Sequence, residues 1–441
     1  MRSYRFSCIA LLISIAPLSG CADPELPHVR LVTLDTTRAD RLGCYGYPKP
    51  TSPNLDALAR ESVVYRKAVS TSSWTLPAHA SLFTGKFPTS HGSQYDPEGP
   101  LMLTSAIEGP PEWGAYRARG LAPDEITLAE LLRERGYATA AVVGGPWMKK
   151  VFGLNKGFDH YDDDQIRSVQ GRLAEDLTDS AIGWLDANPG RPFFLFLNYY
   201  DPHTPYWPPE EFGRKFFEPG MEGLEAQRAL YDGEIASMDH HFGRLIQRLK
   251  ESGQYDRTWI IVTADHGELL GEHGKMGHGH YLTQWELHIP LIVKFPFGER
   301  SAGEDSQWVQ LTDLFAMILE RLGLPLPAGT QGESPPGVRH PIVAEVYPLP
   351  FTTPDGDWRS LIEGDYKFLW NSLGKHELYQ LAHDPGERNS LASLQPDVAR
   401  SMERTLTAFL DGLPRPVKGD DEPIAVDPET QEALKSLGYV D

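Results

Sequence analysis

Residues 73–85 read Ser-Trp-Thr-Leu-Pro-Ala-His-Ala-Ser-Leu-Phe-Thr-Gly, which predicts a loop that runs into a helix. Pro77 suits the first turn of that helix, where its missing N–H costs nothing, and Gly85 provides a C-terminal stop. Thr75 therefore falls at the amino-terminal end of the helix, where free backbone N–H groups and the helix dipole favour an anion. A threonine at this position can also act as a simple helix cap. This segment alone leaves open whether Thr75 is a nucleophile or a structural cap.

Two strand-like runs, of which residues 259–262 are unbroken apolar sequence, predict parallel strands with acidic residues at their carboxyl ends. Residues 29–34 lead into Asp35, and residues 259–262 are closely followed by Asp265 and His266. Ligand-bearing residues of an α/β sheet lie at the carboxyl ends of its strands, so these side chains are expected to meet. A single aspartate at a strand end is more often a turn former, but two such ends favour a metal site. The sequence predicts one divalent cation (Ca, Mg, Mn or Zn) bound by Asp35, Thr75, Asp265 and His266.

Two further segments place histidines in the same region. Residues 201–205 read Asp-Pro-His-Thr-Pro and follow a strand-like run at 193–197, which puts His203 in a turn. Residues 276–280 read Met-Gly-His-Gly-His and contain His278. Taken singly, each segment is equally compatible with a surface turn that exposes a histidine. Their order relative to the strand-end acids favours a place at the same site.

Together these segments resemble the sulfatase family of the alkaline phosphatase superfamily, from about residue 29 to the C-terminus. Residues 35–46 are similar to the family's opening segment, residues 51–56 to its TPNLD segment with one residue inserted, and residues 377–387 to its C-terminal ELY and DPGE hairpin. The resemblance implies an α/β fold with an alkaline-phosphatase-like, mostly parallel sheet sandwiched by helices and a small C-terminal α+β subdomain. It also implies a metal-dependent hydrolase of sulfuric or phosphoric esters.

Several positions depart from the family pattern. Thr75 occupies the position of the Cys or Ser that sulfatases oxidise to formylglycine, so the nucleophile implied here is an unmodified hydroxyl. His79 replaces an arginine, and His278 replaces a lysine. Thr36 replaces a second metal-binding aspartate, and Gly145 lies near the position of a Lys-x-His pair. The altered set also resembles the threonine branch of the superfamily, which includes phosphoethanolamine transferases, lipoteichoic acid synthases and nucleotide phosphodiesterases.

The resemblance implies that a metal-bound Thr75 attacks a sulfate or phosphate ester. The catalytic residues that it implies are Thr75, His79, His203 and His278, of which the three histidines contact the bound anion. A divalent cation lowers the pKa of a bound hydroxyl, and a histidine with an intrinsic pKa of about 6.5 can protonate the leaving oxygen. Substrate affinity is then expected to fall as the pH rises through the histidine pKa values.

Other functions are compatible with the same residues. The chain could be a phosphodiesterase, a transferase of phospho-headgroups, or a catalytically dead sulfatase-like binding protein. A second metal ion, held by Asp201, His273 and His280, is the alternative to a single-metal site. The presence of Asp35, Thr75, Asp265 and His266 together favours an active hydrolase, because a binding protein has no need of a metal site.

The amino terminus predicts export and lipid anchoring. A basic start precedes an apolar run at residues 9–17, and residues 18–21 (Leu-Ser-Gly-Cys) resemble the processing box of a bacterial lipoprotein. We expect residues 1–20 to be a signal peptide and Cys21 to carry lipid, which places the protein in the bacterial cell envelope. A simple secretory signal or an uncleaved tether is the alternative. Processing leaves Cys44 as the one thiol, so no intrachain disulfide is expected.

The charge balance limits the possible partners. The chain carries 41 Lys and Arg residues against 61 Asp and Glu residues, a formal net charge of -20. So acidic a protein is a poor candidate for nonspecific nucleic-acid binding or for charge-driven adhesion to an anionic membrane. We expect an anionic ester as substrate, in a small molecule, a glycan or a lipid headgroup, and membrane contact only through the lipid anchor.

Sequence patterns divide the chain into two parts. Strand-like and helical runs alternate over residues 28–325, which predicts the catalytic α/β domain, and residues 326–441 are expected to form an antiparallel subdomain and tail. Residues 127–130 form a capping box that opens a helix. The Pro- and Gly-rich residues 95–124 are predicted to be a loop insertion, and residues 429–439 a short helix in the tail.

Overall fold

The computed structural model describes residues 26–188, 190–347 and 356–416. The predicted signal peptide with Cys21 and the predicted tail helix at 429–439 lie outside the described residues. Within the described ranges, no helix is both long enough and apolar enough to cross a bilayer.

The strands are short and mostly buried. In chain order they are β1 (His28–Leu34), β2 (Val63–Val69), β3 (Gln94–Tyr95), β4 (Leu101–Met102), β5 (Arg117–Arg119), β6 (Ala138–Val143), β7 (His160–Asp162), β8 (Phe193–Tyr199), β9 (Thr258–Thr263), β10 (Leu269–Leu270), β11 (Met276–Gly277), β12 (His288–Ile289), β13 (Leu291–Lys294), β14 (Gly303–Gln310), β15 (Ile342–Val346), β16 (Trp358–Glu363), β17 (Tyr366–Asn371) and β18 (Glu377–Gln380).

The helices range from single turns to one of eight turns. In chain order they are α1 (Pro53–Ala59), α2 (Thr75–Thr84), α3 (Pro88–His91), α4 (Leu128–Glu134), α5 (Ala174–Ala187), α6 (Glu210–Gly213), α7 (Gly223–Glu251), α8 (Gln284–Leu287), α9 (Leu311–Arg321) and α10 (Pro396–Gly412).

In the described residues, nine strands form one mixed sheet in the order β12-β2-β13-β9-β1-β8-β6-β7, with β14 beside β2. The centre of the sheet, from β9 through β1, β8 and β6 to β7, is parallel. By contrast, β13 is antiparallel to both of its neighbours, β9 and β2. The expected α/β class is therefore confirmed, and the sheet is parallel where the predicted site residues emerge.

Helices cover both faces of this sheet. Side chains alternate along a strand, so Val29 and Leu31 of β1 join the core formed with α2 and α9, whereas Val32 and Leu34 join the core formed with α5 and α7. All four side chains are fully buried. A strand covered on both faces has no solvent side, which explains why these four positions are apolar.

Two local predictions had different outcomes. The capping box is confirmed, because the Thr127 hydroxyl accepts the Glu130 N–H at 3.2 Å and the Glu130 carboxylate accepts the Thr127 N–H at 3.0 Å. The insertion at 95–124 is not simply a loop, since β3, β4 and β5 form a three-stranded antiparallel sheet there. Strands of two or three residues carry too little alternation to be recognised in a sequence.

The expected small antiparallel subdomain follows the main sheet. Strands β15 to β18 form a four-stranded antiparallel sheet, and α10 packs on it. Met402, Leu406 and Leu410 lie four residues apart on α10 and are buried against the sheet. This periodicity gives the helix one apolar face, as expected for a helix that covers one side of a sheet.

Candidate active site

Three of the four predicted metal ligands lie together at the carboxyl ends of β1 and β9. These strands are parallel neighbours in register, with Thr33 opposite Thr263, so the segments that follow them emerge at the same edge of the sheet. Asp35, Asp265 and His266 are fully buried, and their candidate ligand atoms lie within 4.8 Å of one another. The structure thus brings together the strand-end acids that the sequence places far apart.

The unmatched polar atoms of this group fit a cation. Asp35 Oδ1, Asp265 Oδ2 and Thr36 Oγ1 are buried with no hydrogen-bond partner among the described residues. Burial, followed by the neighbouring Asp265, raises the pKa of Asp35 well above its usual range, and burial raises the pKa of Asp265 as well. Two buried carboxylates without a nearby positive charge are costly, so a bound divalent cation would remove the cost that this geometry creates.

His266 presents a lone pair to the same point. Its Nδ1 lies 2.9 Å from the carbonyl oxygen of Gly267, and because a carbonyl only accepts, Nδ1 carries the proton. The unprotonated Nε2 lies 3.3 Å from Asp265 Oδ2 and 3.3 Å from Thr75 Oγ1. This is the tautomer that a metal-binding histidine requires.

The Thr75 side chain does not cap the helix that it begins. Thr75 is the first residue of α2, Trp74 is the N-cap, and no side chain caps this helix. The Thr75 hydroxyl instead faces His266, and the residue is only 1% exposed. Gly85 ends the helix in the left-handed conformation, with φ of 67°, as predicted.

His79 does not have the surroundings of an anion-binding residue. Its Nδ1–H donates to the carbonyl of Thr75 at 2.8 Å, and its Nε2 lies 3.0 Å from the Thr33 hydroxyl. The ring packs edge-on against Phe83 and Phe196, and burial lowers its pKa. With both ring nitrogens engaged, His79 supports the first turn of α2 and leaves no ring nitrogen for the predicted contact with the anion.

The other two histidines predicted at the site are His203 and His278. His278 lies next to the candidate metal ligand His266, and His203 lies next to His278. The His278 ring is 4.5 Å from the His266 ring and 4.8 Å from the His203 ring, centroid to centroid. His278 Nδ1–H donates to Glu268 Oε1 at 2.8 Å, and Glu268 Oε2 accepts the hydroxyl of Tyr206 at 3.0 Å. Glu268 was not among the residues expected at the site. Its position two residues after His266 was the available signal.

The ionisation of these histidines differs from the sequence expectation. Burial is the largest cause that lowers the pKa of both His203 and His278 to about 3. Both rings are therefore neutral near pH 7 in the absence of ligand. The expectation that affinity falls as the pH rises stays a prediction, but the pKa values of the ligand-free histidines lie below the ordinary histidine range on which it was based.

Asn198 was also not expected as a site residue. Its Nδ2 donates to Asp35 Oδ2 at 3.2 Å, and its Oδ1 accepts the N–H of Gly145 at 3.1 Å. A Cβ on Gly145 would lie 2.8 Å from the ring of Tyr200. This crowding explains why the chain has glycine near the position of a Lys-x-His pair, because a side chain does not fit there.

The alternative of a second metal ion is not supported. Among the described residues, Asp35, Asp265 and His266 form the one group of three or more His, Cys, Asp or Glu side chains with converging ligand atoms. His280 Nε2 bonds the carbonyl oxygen of Met276 at 3.1 Å. Asp201 and His273 belong to no such group.

Two buried carboxyl groups hold the loop that carries His203. Asp201 Oδ1 accepts the N–H of Ala174 at 3.1 Å, and Glu234 Oε1 accepts the N–H of Trp207 at 2.5 Å. Burial raises the pKa of Asp201 to about 7 and the pKa of Glu234 to about 9, and Asp201 adds to the Glu234 shift. The loop is therefore held by groups whose ionisation is unfavourable in the folded protein.

The substitution Glu234→Gln is expected to flatten the pH dependence of the free energy of unfolding. Because the folded-state pKa is raised, Glu234 favours folding at low pH and loses this contribution as the pH rises to about 9. Glutamine keeps an oxygen for the Trp207 N–H but does not ionise. Urea unfolding at about pH 5, 7 and 9 measures the difference.

Glu225 is the matched control, since it is an exposed glutamate in the first turn of the same helix. Glu225→Gln should retain the pH dependence of the unsubstituted protein. Equal pH dependence in Glu234→Gln and the unsubstituted protein would contradict the raised pKa of Glu234.

Comparison with known families identifies the class of protein that this fold and site define. The sulfatase family profile matches residues 27–324, well over half of the chain. The chain belongs to the sulfatase family. The family is metal-dependent, and the protein is a sulfatase-family ester hydrolase.

Similar curated proteins extend over most of the chain. An uncharacterised sulfatase YidJ of Escherichia coli is 24% identical, covering 89% of this chain and 88% of that protein. The multifunctional alkaline phosphatase superfamily protein PehA of Trinickia caryophylli is 28% identical, with coverage of 77% and 80%. An ulvan-active sulfatase of Formosa agariphila is 23% identical, with coverage of 87% and 82%.

Solved structures confirm the alkaline-phosphatase-like fold. One is a protein in complex with its substrate D-glucosamine-2-N,6-O-disulfate, with a TM-score of 0.72 at 18% identity, covering 88% of this chain and 99% of that chain. Another is the phosphonate monoester hydrolase of Agrobacterium radiobacter, with a TM-score of 0.70 at 21% identity and coverage of 87% and 95%. At these identities the likeness shows the fold alone.

Proposed function

We propose that the protein hydrolyses sulfate esters, or phosphate esters of the same shape, with the unmodified Thr75 hydroxyl as nucleophile. Asp35, Asp265 and His266 would hold a divalent cation, which would supply charge neutralisation and a lowered pKa for the hydroxyl. The observation that carries the proposal is the position of Thr75 Oγ1, 3.3 Å from the unprotonated Nε2 of His266 at the start of α2.

The residues around Thr75 hold it for attack. The N–H groups of Thr75 and Leu76, in the first turn of α2, are available to the oxygens of the ester. His79 fixes the carbonyl of Thr75 against Thr33 of β1, and Asn198 fixes the carboxylate of Asp35. The chain thus orients the nucleophile and the metal ligands before the substrate arrives.

The transfer step has defined proton and bond changes. The Thr75 hydroxyl loses its proton to water, its oxygen bonds to sulfur or phosphorus, and the bond to the leaving oxygen breaks. The leaving oxygen takes a proton from His203 or His278. Each imidazole has its Nδ1 engaged, with Thr204 O at 2.5 Å or Glu268 Oε1 at 2.8 Å, which directs Nε2 to the substrate. The charge of a bound anion favours the protonated imidazole and opposes the effect of burial. Water then hydrolyses the ester on the threonine.

The residue type at position 75 favours phosphate as the second candidate substrate. Formylglycine releases sulfate by elimination, and threonine has no such route. Phosphate is released from a phosphothreonine by attack of water alone. The substrate class supported by the relatives is an anionic ester on a glycan, since one relative is described as ulvan-active and one structural neighbour binds a disulfated glucosamine.

A substrate panel tests the proposal. The purified protein is assayed with nitrophenyl sulfate, nitrophenyl phosphate and a nitrophenyl phosphodiester, each with added Ca, Mg, Mn or Zn. Metal-dependent release of nitrophenol from the sulfate or the monoester is the expected result. Preference for the diester would indicate the phosphodiesterase alternative, and binding without turnover of any substrate would indicate a binding protein.

We also propose that the protein is anchored to the bacterial cell envelope through a lipid on Cys21. The basis is the processing box at residues 18–21. The substitution Cys21→Ser is expected to move the protein from the detergent phase to the aqueous phase in a Triton X-114 partition, since the acyl chains are lost. Cys44→Ser is the matched control and should stay in the detergent phase. An unchanged partition of Cys21→Ser would exclude this anchor.

A further inference from the structure

A cavity of about 240 Å3 lies where an edge of the large sheet meets the C-terminal subdomain. Lys67 of β2, Trp308 of β14 and Trp285 of α8 line it on the side of the sheet. Leu381 and Pro385, in the turn after β18, line it on the other side. A space of this size suits a ligand of about one ring, because pockets for larger molecules span roughly 300–1,000 Å3.

The lining contains three cations, of which two are paired with carboxylates. Arg38, Arg66 and Lys67 are its cations, and Asp40 is its one carboxylate, although the whole chain has a net charge of -20. Arg38 is paired with Asp40 at 2.7 Å, and Arg66 is paired with Glu304. No carboxylate among the described residues lies within ion-pairing distance of Lys67. Lys67 is therefore the cation of this cavity whose charge is not balanced by a neighbouring carboxylate, and it is the one that can bind an anion.

The aromatic lining favours a ring-shaped ligand. Lys67 Nζ lies 5.1 Å from the centre of the Trp308 ring, and the Arg38 guanidinium lies 4.5 Å from the centre of the Trp285 ring. Indole rings present broad apolar faces with a polar edge, which suits the C–H face of a sugar. A cation held over one of these rings is placed to bind an anionic substituent on the same ligand.

The cavity is adjacent to the candidate active site but separate from it. Trp285 O accepts the N–H of Glu268 at 3.1 Å, and Arg38 Nη1 donates to the carbonyl of Glu268 at 3.2 Å. A Cβ on Gly267 would lie 2.1 Å from Trp285 O, so this layer is closed. A ligand in the cavity is therefore one residue layer away from His266 and does not occupy the metal site.

We propose that the Lys67–Trp285–Trp308 cavity is an accessory binding site for a sugar ring that carries an anionic substituent. Two sources share this chemistry: a free anionic monosaccharide, and one unit of an anionic polysaccharide whose ester is cleaved at Thr75. The second source rests on the proposed function, whereas binding to the cavity does not.

Calorimetric titration of the metal-loaded protein with N-acetylglucosamine 6-sulfate tests the site. Lys67→Ala and Trp308→Leu are each expected to weaken binding at the cavity by at least about tenfold, which is the loss of about 1.4 kcal/mol. Uncharged N-acetylglucosamine is expected to bind at least about tenfold more weakly to the unsubstituted protein. Lys215→Ala is the matched control, because Lys215 also lies over an aromatic ring, Phe212 at 4.4 Å, outside the cavity.

Kinetic assays of the same variants identify the source of the ligand. Turnover of a small nitrophenyl ester should be unchanged, because the variants lie outside the active site. A KM for a sulfated polysaccharide that rises in Lys67→Ala, with kcat unchanged, supports a polymer unit. An unchanged KM with weakened monosaccharide binding supports a free sugar.

Equal binding isotherms for Lys67→Ala, Lys215→Ala and the unsubstituted protein would overturn the proposed cavity site. Absence of turnover of every nitrophenyl ester would instead count against the proposed function and leave the titration result intact.

Discussion

Replacement of Thr75 by alanine is expected to lower kcat by at least about 10³-fold, a loss of about 4 kcal/mol of transition-state stabilisation. Alanine removes the hydroxyl that faces His266 Nε2 but keeps the first residue of α2 in place. The carboxylates of Asp35 and Asp265 are unchanged, so the metal should remain bound. Steady-state kinetics and metal analysis of the same preparation measure the two effects.

Two controls make this result specific to the hydroxyl. Thr75→Ser restores a hydroxyl at the same carbon and is expected to recover part of the lost kcat. The mass of the peptide that contains Thr75 should be that of intact threonine in the active protein. Retained turnover in Thr75→Ala would place the nucleophile elsewhere, and Ser73, whose buried hydroxyl has no partner among the described residues, is the next candidate.

The positions of the candidate metal ligands could be predicted because they follow from strand order. Asp35 and Asp265 each come after a buried strand, and parallel strands present their carboxyl ends at one edge of the sheet. The position of Thr75 followed from local signals, namely a proline in the first turn and Gly85 at the helix end. The positions of Asp35, Asp265 and Thr75 therefore follow from residues that are adjacent in the sequence and from the rule that parallel strands present their carboxyl ends at one edge of a sheet.

The role and ionisation of the histidines could not be predicted in this way. His79 lies on the helix that begins with Thr75, but its role depends on Thr33, which is 46 residues away in the sequence. The pKa values of His203 and His278 are lowered chiefly by burial, and the sequence does not show how deeply a turn is buried. Gly145 is explained only by the close approach of Tyr200.

Replacement of Asp265 by asparagine is expected to weaken binding of the divalent cation by at least about 100-fold, since one of two charged ligands is lost. The asparagine oxygen can still accept the backbone N–H groups of Thr36 and His266, which bond Asp265 Oδ1 at 3.2 Å and 2.8 Å. The metal-free protein should therefore fold, and it should be at least as stable, because a buried carboxylate beside Asp35 has been neutralised.

This combination of effects distinguishes a metal site from a structural carboxylate. Metal binding stabilises the folded state in proportion to the logarithm of metal concentration over Kd, so added metal should raise the Tm of the unsubstituted protein and not that of Asp265→Asn. Asp201→Asn is the matched control, since Asp201 is also buried with one oxygen lacking a partner in the described part of the chain. Asp201→Asn should keep the full metal-induced rise in Tm. An equal rise in Asp265→Asn would show that the cation binds elsewhere, and the role of Thr75 as a metal-activated nucleophile would then lose its structural basis.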